Sequence, residues 1–196
     1  HQYFYQVQQL AIFASGTGSN ARKIIEYFSG HPSIQVSLVV SNRKTAPVLE
    51  MAAGFGIKTL VLQRKEFYET EKILADLADI DLLVLAGFLW LIPDYLVKAF
   101  PQQIVNIHPA LLPQYGGKGM YGMNVHRAVS AAQETESGMT IHYVNEHYDE
   151  GQIIFQARCA INPGEEAEAI AKKVLKLEHQ HFAPVIEQLL LKNDRS

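Results

Sequence analysis

Asn106 and His108 in the run NIHPALLP (106–113), with Asp149 in the turn HYDEG some forty positions later, bring an amide, an imidazole and a carboxylate into one candidate reaction centre. Each type answers a need of acyl transfer through a tetrahedral oxyanion. An amide N–H donates to developing negative charge. An imidazole passes a proton, and a neighbouring carboxylate favours its charged form, so Asp149 is expected to raise the His108 pKa toward working pH. Asn106 and His108 lie two positions apart after the apolar Ile104-Val105. If that strand continues, both side chains leave on the same face and meet one carbonyl oxygen. The alternative that needs no substrate is a loop stiffened by Pro109 and Pro113, with Asp149 an ordinary turn residue. No GxSxG elbow occurs and Cys159 sits in an apolar strand pattern, so direct transfer is preferred to a covalent intermediate. Among the remaining histidines, His126, His142, His147, His179 and His181, no HExxH or other firm ligand spacing appears. His179 and His181 would point apart on a helix, and no catalytic metal is expected.

A second segment, Ser15-Gly16-Thr17-Gly18-Ser19-Asn20 leading into Ala21, combines glycines, hydroxyls and the free N–H groups of a helix start, a combination suited to a phosphate. It also satisfies the loose dinucleotide pattern GxGxxA. That pattern wants an acid at the end of the second strand to hold a ribose, and this chain has Val40-Ser41-Asn42-Arg43 there. It is not a P-loop, since no Gly-Lys-Ser/Thr follows. A tight turn with Ser19 or Asn20 capping the helix would need no ligand at all.

Apolar, β-branched stretches at Leu10-Phe13, Val36-Val40, Lys58-Leu62, Leu82-Leu85 and Gln103-Ile107 must position these groups. Turn residues and helical patterns intervene, with helices over Asn20-Phe28, Pro47-Gly54, Glu66-Ala78 and Pro93-Phe100. The alternation predicts an α/β fold with a doubly wound, mostly parallel, Rossmann-like sheet. Gly138-Tyr143 and Gln152-Ala160 read as antiparallel C-terminal strands joined by the Asn145-Gly151 loop. A long C-terminal helix over Glu165-Leu191 closes the chain, with Pro184 expected to kink it.

With 196 residues, 48% hydrophobic and 19% charged, the chain fits a single domain over residues 7–196. His1–Gln6 reads as the remnant of an expression tag. A net charge of −3 argues against a nucleic-acid footprint and for small-molecule partners. One cysteine excludes an internal disulfide and fits a reducing, cytoplasmic setting. The longest apolar run, Leu82–Ile92, is too short for a bilayer needing roughly 20 residues, so no membrane partner is expected.

Through SGTGSN (15–20), AGFLWLI (86–92), NIHPALLP (106–113) and HYVNEHYDEG (142–151), the chain resembles the phosphoribosylglycinamide formyltransferases, glycinamide ribonucleotide transformylases of the formyltetrahydrofolate-dependent formyltransferase superfamily. The likeness covers nearly everything after residue 6. It implies transfer of the formyl group of 10-formyltetrahydrofolate, a cosubstrate, to the amine of 5-phosphoribosylglycinamide in purine biosynthesis. Asn106, His108 and Asp149 would form the catalytic trio, with Asp149 orienting His108 and a proton-shuttling water. Gly18, Ser19, Asn20 and Glu178 would hold the ribonucleotide. Phe88, Leu89, Trp90, Leu91 and Ile92, and Asn145, Glu146, His147 and Tyr148, would border the folate. Three departures stand out. Trp90 takes a position often basic, no arginine is evident around Glu69-Thr70 to meet the folate glutamate, and Leu175 stands where some relatives place a lysine. Gly116–Gly122 is longer than the usual connection, and Lys118 within it is expected to supply charge to the phosphate.

The alternatives are a formyltetrahydrofolate hydrolase or a formyltransferase acting on another amine, and, from another class, a nucleotide-binding module or dehydrogenase. The hydrolase and a transfer-RNA enzyme would each be expected to carry an additional domain. The assembly expected is a monomer or homodimer.

Overall fold

Strict alternation in the first strand sets the two-layered core. In β1 (Gln8–Phe13), Leu10 and Ile12 face one side of the sheet while Ala11 and Phe13 face the other, and all four are fully buried. The computed structural model describes residues 6–147 and 149–194. Most of the segment read as a tag remnant, residues 1–5, and the folate-side candidate Tyr148 lie outside the described residues.

β2 (Ile34–Ser41), β3 (Lys58–Val61), β4 (Leu82–Leu85) and β5 (Ile104–His108) join β1 in parallel. β6 (Glu136–Tyr143) and β7 (Ile153–Ala160) add antiparallel. The order is β3-β2-β1-β4-β5-β6-β7. The chain winds outward from β1 to β3, then returns to lay β4 on the other side of β1. This reversal opens a crevice beyond the carboxyl ends of β1 and β4, where open α/β sheets take their ligands.

α1 (Ser19–Phe28), α2 (Pro47–Gly54), α6 (Met123–Ala131) and α7 (Ala167–Asp194) cover one face, through residues such as Ile24, Val48, Val129 and Phe182. α3 (Arg64–Glu69), α4 (Ile73–Asp76) and α5 (Asp94–Ala99) cover the other through Phe67, Ile73 and Leu96. Burying a side chain such as Phe182 contributes roughly 1.5–3 kcal/mol.

The architecture is the α/β sheet with antiparallel C-terminal strands and long final helix that the sequence predicts, and two elements differ. The single helix expected over Glu66-Ala78 is two, because Thr70 is extended and its hydroxyl competes for the backbone. Thr70 Oγ1 donates to Glu66 O at 2.6 Å and accepts from Lys72 N at 3.3 Å. α7 runs through Pro184 as one continuous helix. α6 went unpredicted: its N-cap, Gly122, makes no side-chain cap, and no capping signature marks its start. No helix among the described residues is long and apolar enough to cross a membrane.

Candidate active site

β5 extends through His108, so Asn106 and His108 emerge on one face, and both wall a cleft of about 950 Å³ at the carboxyl edge of the sheet. Asp149 reaches the same cleft from the loop between β6 and β7. So do Gly16–Asn20 after β1, Ala86–Leu89 after β4, Gly117–Met123 with His126, and Ala171, Leu175 and Glu178 of α7.

Hydrogen bonds assign the tautomers of two imidazoles. His108 Nε2 lies 2.7 Å from the Tyr115 carbonyl, which only accepts, so Nε2 carries the proton. Nδ1 faces Asp149 Oδ1 at 3.5 Å and is the nitrogen at which a proton can be exchanged. His142, opposite Asn106 in the β5–β6 register, donates from Nδ1 to the Tyr143 carbonyl at 2.9 Å. Its Nε2 then accepts from the Asn106 amide at 3.0 Å. His142 Nε2 also stands 3.6 Å from Asp149 Oδ1, beyond hydrogen-bonding range but close enough to interact electrostatically. The trio expected from sequence therefore converges around His142, which the sequence reading weighed only as a metal ligand. Its signal was available in the alternation of β6, which turns Thr140 and His142 to one face.

Burial pushes the His108 pKa down and outweighs the opposing pull of Asp149 and the Tyr115 carbonyl. The expectation that Asp149 would raise it toward working pH gives way for this reason: desolvation of an imidazolium costs more here than one carboxylate returns. For Asp149 burial pushes upward, but the imidazoles of His142 and His108 and the Gly117 N–H, which donates to Oδ2 at 3.1 Å, bring it below its ordinary value.

The two residues beside His108 are held in left-handed backbone, Tyr115 at φ 57° and Asp149 at φ 54°, a conformation costing about 1 kcal/mol or more each. Surrounding bonds impose it. Tyr115 Oη donates to Glu134 at 2.7 Å. Buried Thr140 Oγ1 donates to the Ala110 carbonyl at 2.7 Å and accepts from Leu112 N at 3.1 Å and Gln156 Nε2 at 2.9 Å, locking the segment after β5. Gly151 lies so close to β6 that a Cβ there would overlap the Tyr143 carbonyl.

At the other end of the cleft, Gly18 caps α1 at φ 74°, and a Cβ would collide with Val48. Neither Ser19 nor Asn20 caps the helix, and its first-turn N–H groups have no side-chain partner. Asn20 Nδ2 instead donates to Glu178 Oε1 at 2.8 Å, and Asn20 Oδ1 is buried without a partner among the described residues. Burial lifts Glu178 to about 7, against the lowering influence of Asn20. Where a dinucleotide site would need an acid after β2, Asn42 Oδ1 accepts from Ser15 Oγ at 2.6 Å.

Phe88 and Leu89 wall the cleft, as does the exposed Lys118; among the described residues, the folate-side candidates Trp90, Leu91, Ile92, Asn145, Glu146 and His147 do not. Ile92 is 2% exposed and packs in the core. Trp90 stacks on Phe67, and the Leu91 carbonyl accepts from Tyr68 Oη. In the loop, Asn145 Oδ1 accepts from His147 N, and Glu146 pairs with His147 at 4.0 Å on the surface. The sequence reading passed over Arg64, whose guanidinium lies 5.4 Å from the ring centroids of Tyr68 and Trp90, adding a cation beside the 88–92 segment. Among the described residues no group of three or more His, Cys, Asp or Glu could hold a metal ion.

A family model described as formyl transferase matches residues 8–186, almost the whole described chain. The chain belongs to the formyl transferase family. Within this family it is 43% identical over 187 residues to a chloroplastic phosphoribosylglycinamide formyltransferase of Arabidopsis thaliana, covering 91% of this chain and 64% of that one. It thus spans a little under two thirds of the plant relative's length. It is 34% identical to phosphoribosylglycinamide formyltransferase of Bacillus subtilis (strain 168), covering 96% of this chain and 98% of that one. Among solved structures, glycinamide ribonucleotide transformylase 1 from Geobacillus kaustophilus superposes with a TM-score of 0.85 at 35% identity, covering 94% of this chain and 100% of that one. The fold is thus common to this chain and that transformylase.

Proposed function

We propose that this chain transfers the formyl group of 10-formyltetrahydrofolate to the amine of 5-phosphoribosylglycinamide, giving formylglycinamide ribonucleotide and tetrahydrofolate. The observation that carries this is one cleft walled at one end by the uncapped N-terminus of α1 and at the other by Asn106, His108 and Asp149. Free N–H groups at a helix start suit the acceptor's phosphate, and the trio suits a carbonyl under attack. Gly18, Ser19 and Asn20 hold the phosphate end, with Glu178 directed to the ribose and Lys118 adding charge where Leu175 supplies none. Phe88 and Leu89 face the folate, and Arg64 gives its glutamate a counter-charge.

In the reaction the acceptor amine forms a bond to the formyl carbon, and the electron pair of the carbonyl moves onto oxygen. The free Asn106 N–H and the protonated His108 Nδ1 stabilise that oxygen, and Asp149 stabilises the imidazolium. When the oxyanion collapses, the bond to the folate N10 breaks, and the proton shed by the attacking amine goes to that nitrogen by way of Asp149.

The test is spectroscopic. Folate product is followed with 10-formyltetrahydrofolate alone and with glycinamide ribonucleotide added. Product that depends on the acceptor supports the transferase; equal turnover without it identifies a hydrolase, and no turnover with saturable NADH binding identifies a dehydrogenase.

A further inference from the structure

The cleft contains one buried imidazole that the chemistry above leaves unused. His126, on α6, is 6% exposed and lines the same cleft as Asn106, His108 and Glu178. His108 and His142 spend both ring nitrogens on neighbours. His126 makes no hydrogen bond among the described residues, and its Nδ1 is fully buried without a partner. A native interior rarely leaves such a group unpaired, and an exception in a ligand cleft points toward a ligand.

We infer that His126 is a binding residue for the acceptor, hydrogen-bonding the amide that links its aminomethyl group to the sugar. This rests on the acceptor proposed above. Three observations converge on the amide. The phosphate end of the cleft is at Gly18–Asn20 and the reacting end at His108, so the linkage lies between them. In glycinamide the amide carbonyl is two bonds from the attacking nitrogen, which places it within a side chain's reach of His108. His126 lines the cleft together with His108, whose charge disfavours one on His126. Burial and that neighbour both keep His126 neutral, and a neutral imidazole offers one donor and one acceptor, matching an amide's C=O and N–H. The solvated ammonium of Lys118 can only donate, so it matches the C=O alone.

The experiment compares His126→Ala and His126→Gln with the unaltered protein, using glycinamide ribonucleotide and an analogue whose amide carbonyl is reduced to methylene. Binding of each acceptor is measured by calorimetry, and KM and kcat by turnover. His126→Ala is expected to weaken glycinamide ribonucleotide binding about 10-fold, equivalent to about 1.4 kcal/mol, with kcat changed less than KM. His126→Gln, which keeps a donor and an acceptor, recovers part of the loss. The unaltered protein should discriminate against the reduced analogue, and His126→Ala should no longer do so. Unchanged acceptor affinity in His126→Ala overturns the inference, as does equal weakening toward both acceptors, which marks a structural role. Should the unaltered protein neither bind nor formylate glycinamide ribonucleotide, the acceptor itself is wrong, a result visible before any variant is made.

Discussion

Replacing Glu178 by Gln should make the protein more stable at neutral pH, by an amount that grows with pH. Glu178 is 8% exposed, and burial lifts its carboxyl from 4.5 to about 7. Unfolded, the group loses its proton near 4.5; folded, it keeps it to about 7. In that window the native state binds more protons, so stability falls as pH rises through it. At about 1.4 kcal/mol per pH unit, the cost reaches about 3 kcal/mol above pH 7. Glutamine keeps the oxygen that accepts from Asn20 Nδ2 and cannot ionise. Urea unfolding of both proteins from pH 4.5 to 8.5 should show near-equal stability at the acid end and an advantage for Glu178→Gln of up to about 3 kcal/mol at pH 8. A stability difference independent of pH would refute the reasoning. Glu178→Gln should also raise KM for the acceptor, since the ionised carboxylate is the stronger partner for a ribose hydroxyl.

His108→Ala and Asp149→Ala should each lower kcat by about 10² or more, the scale of proton transfer by a positioned group; near-normal turnover in a folded variant would remove these roles. The fall in kcat/KM toward acid between pH 5 and 8 should come from the acceptor amine, which cannot attack once it is protonated. Asp149, held below its ordinary 3.8, stays ionised across that range, and its contribution to stability is lost only as pH drops through its lowered value. A flat profile would count against proton-coupled transfer. Gly151→Ala forces its new methyl into the Tyr143 carbonyl; a loss of about 2 kcal/mol or more in urea unfolding is expected, with Asp149 displaced and turnover reduced.

The wound sheet was legible because its signals are local. Buried strands such as Leu82–Leu85 are continuous apolar runs, and the helices between them carry an apolar stripe. α6 and the break at Thr70 were not, since one lacks a capping signal and the other depends on a single hydroxyl bonding its own backbone. Asn106 and His108 could be paired from residue spacing because strand periodicity is geometric. Asp149 was nameable by residue type and turn, while its approach to His108 depends on Gly151 packing against β6 and on the Gly117 N–H.

Residue order alone therefore determined the fold class, the phosphate-suited turn and the chemical types available for acyl transfer, all of which depend on neighbours a few positions away. Only the tertiary structure decided that His142 orients Asn106, that His126 Nδ1 has no partner among the described residues, and that burial lowers His108 and lifts Glu178. Desolvation and long-range pairing arise from groups brought together across the chain, and no local pattern encodes them.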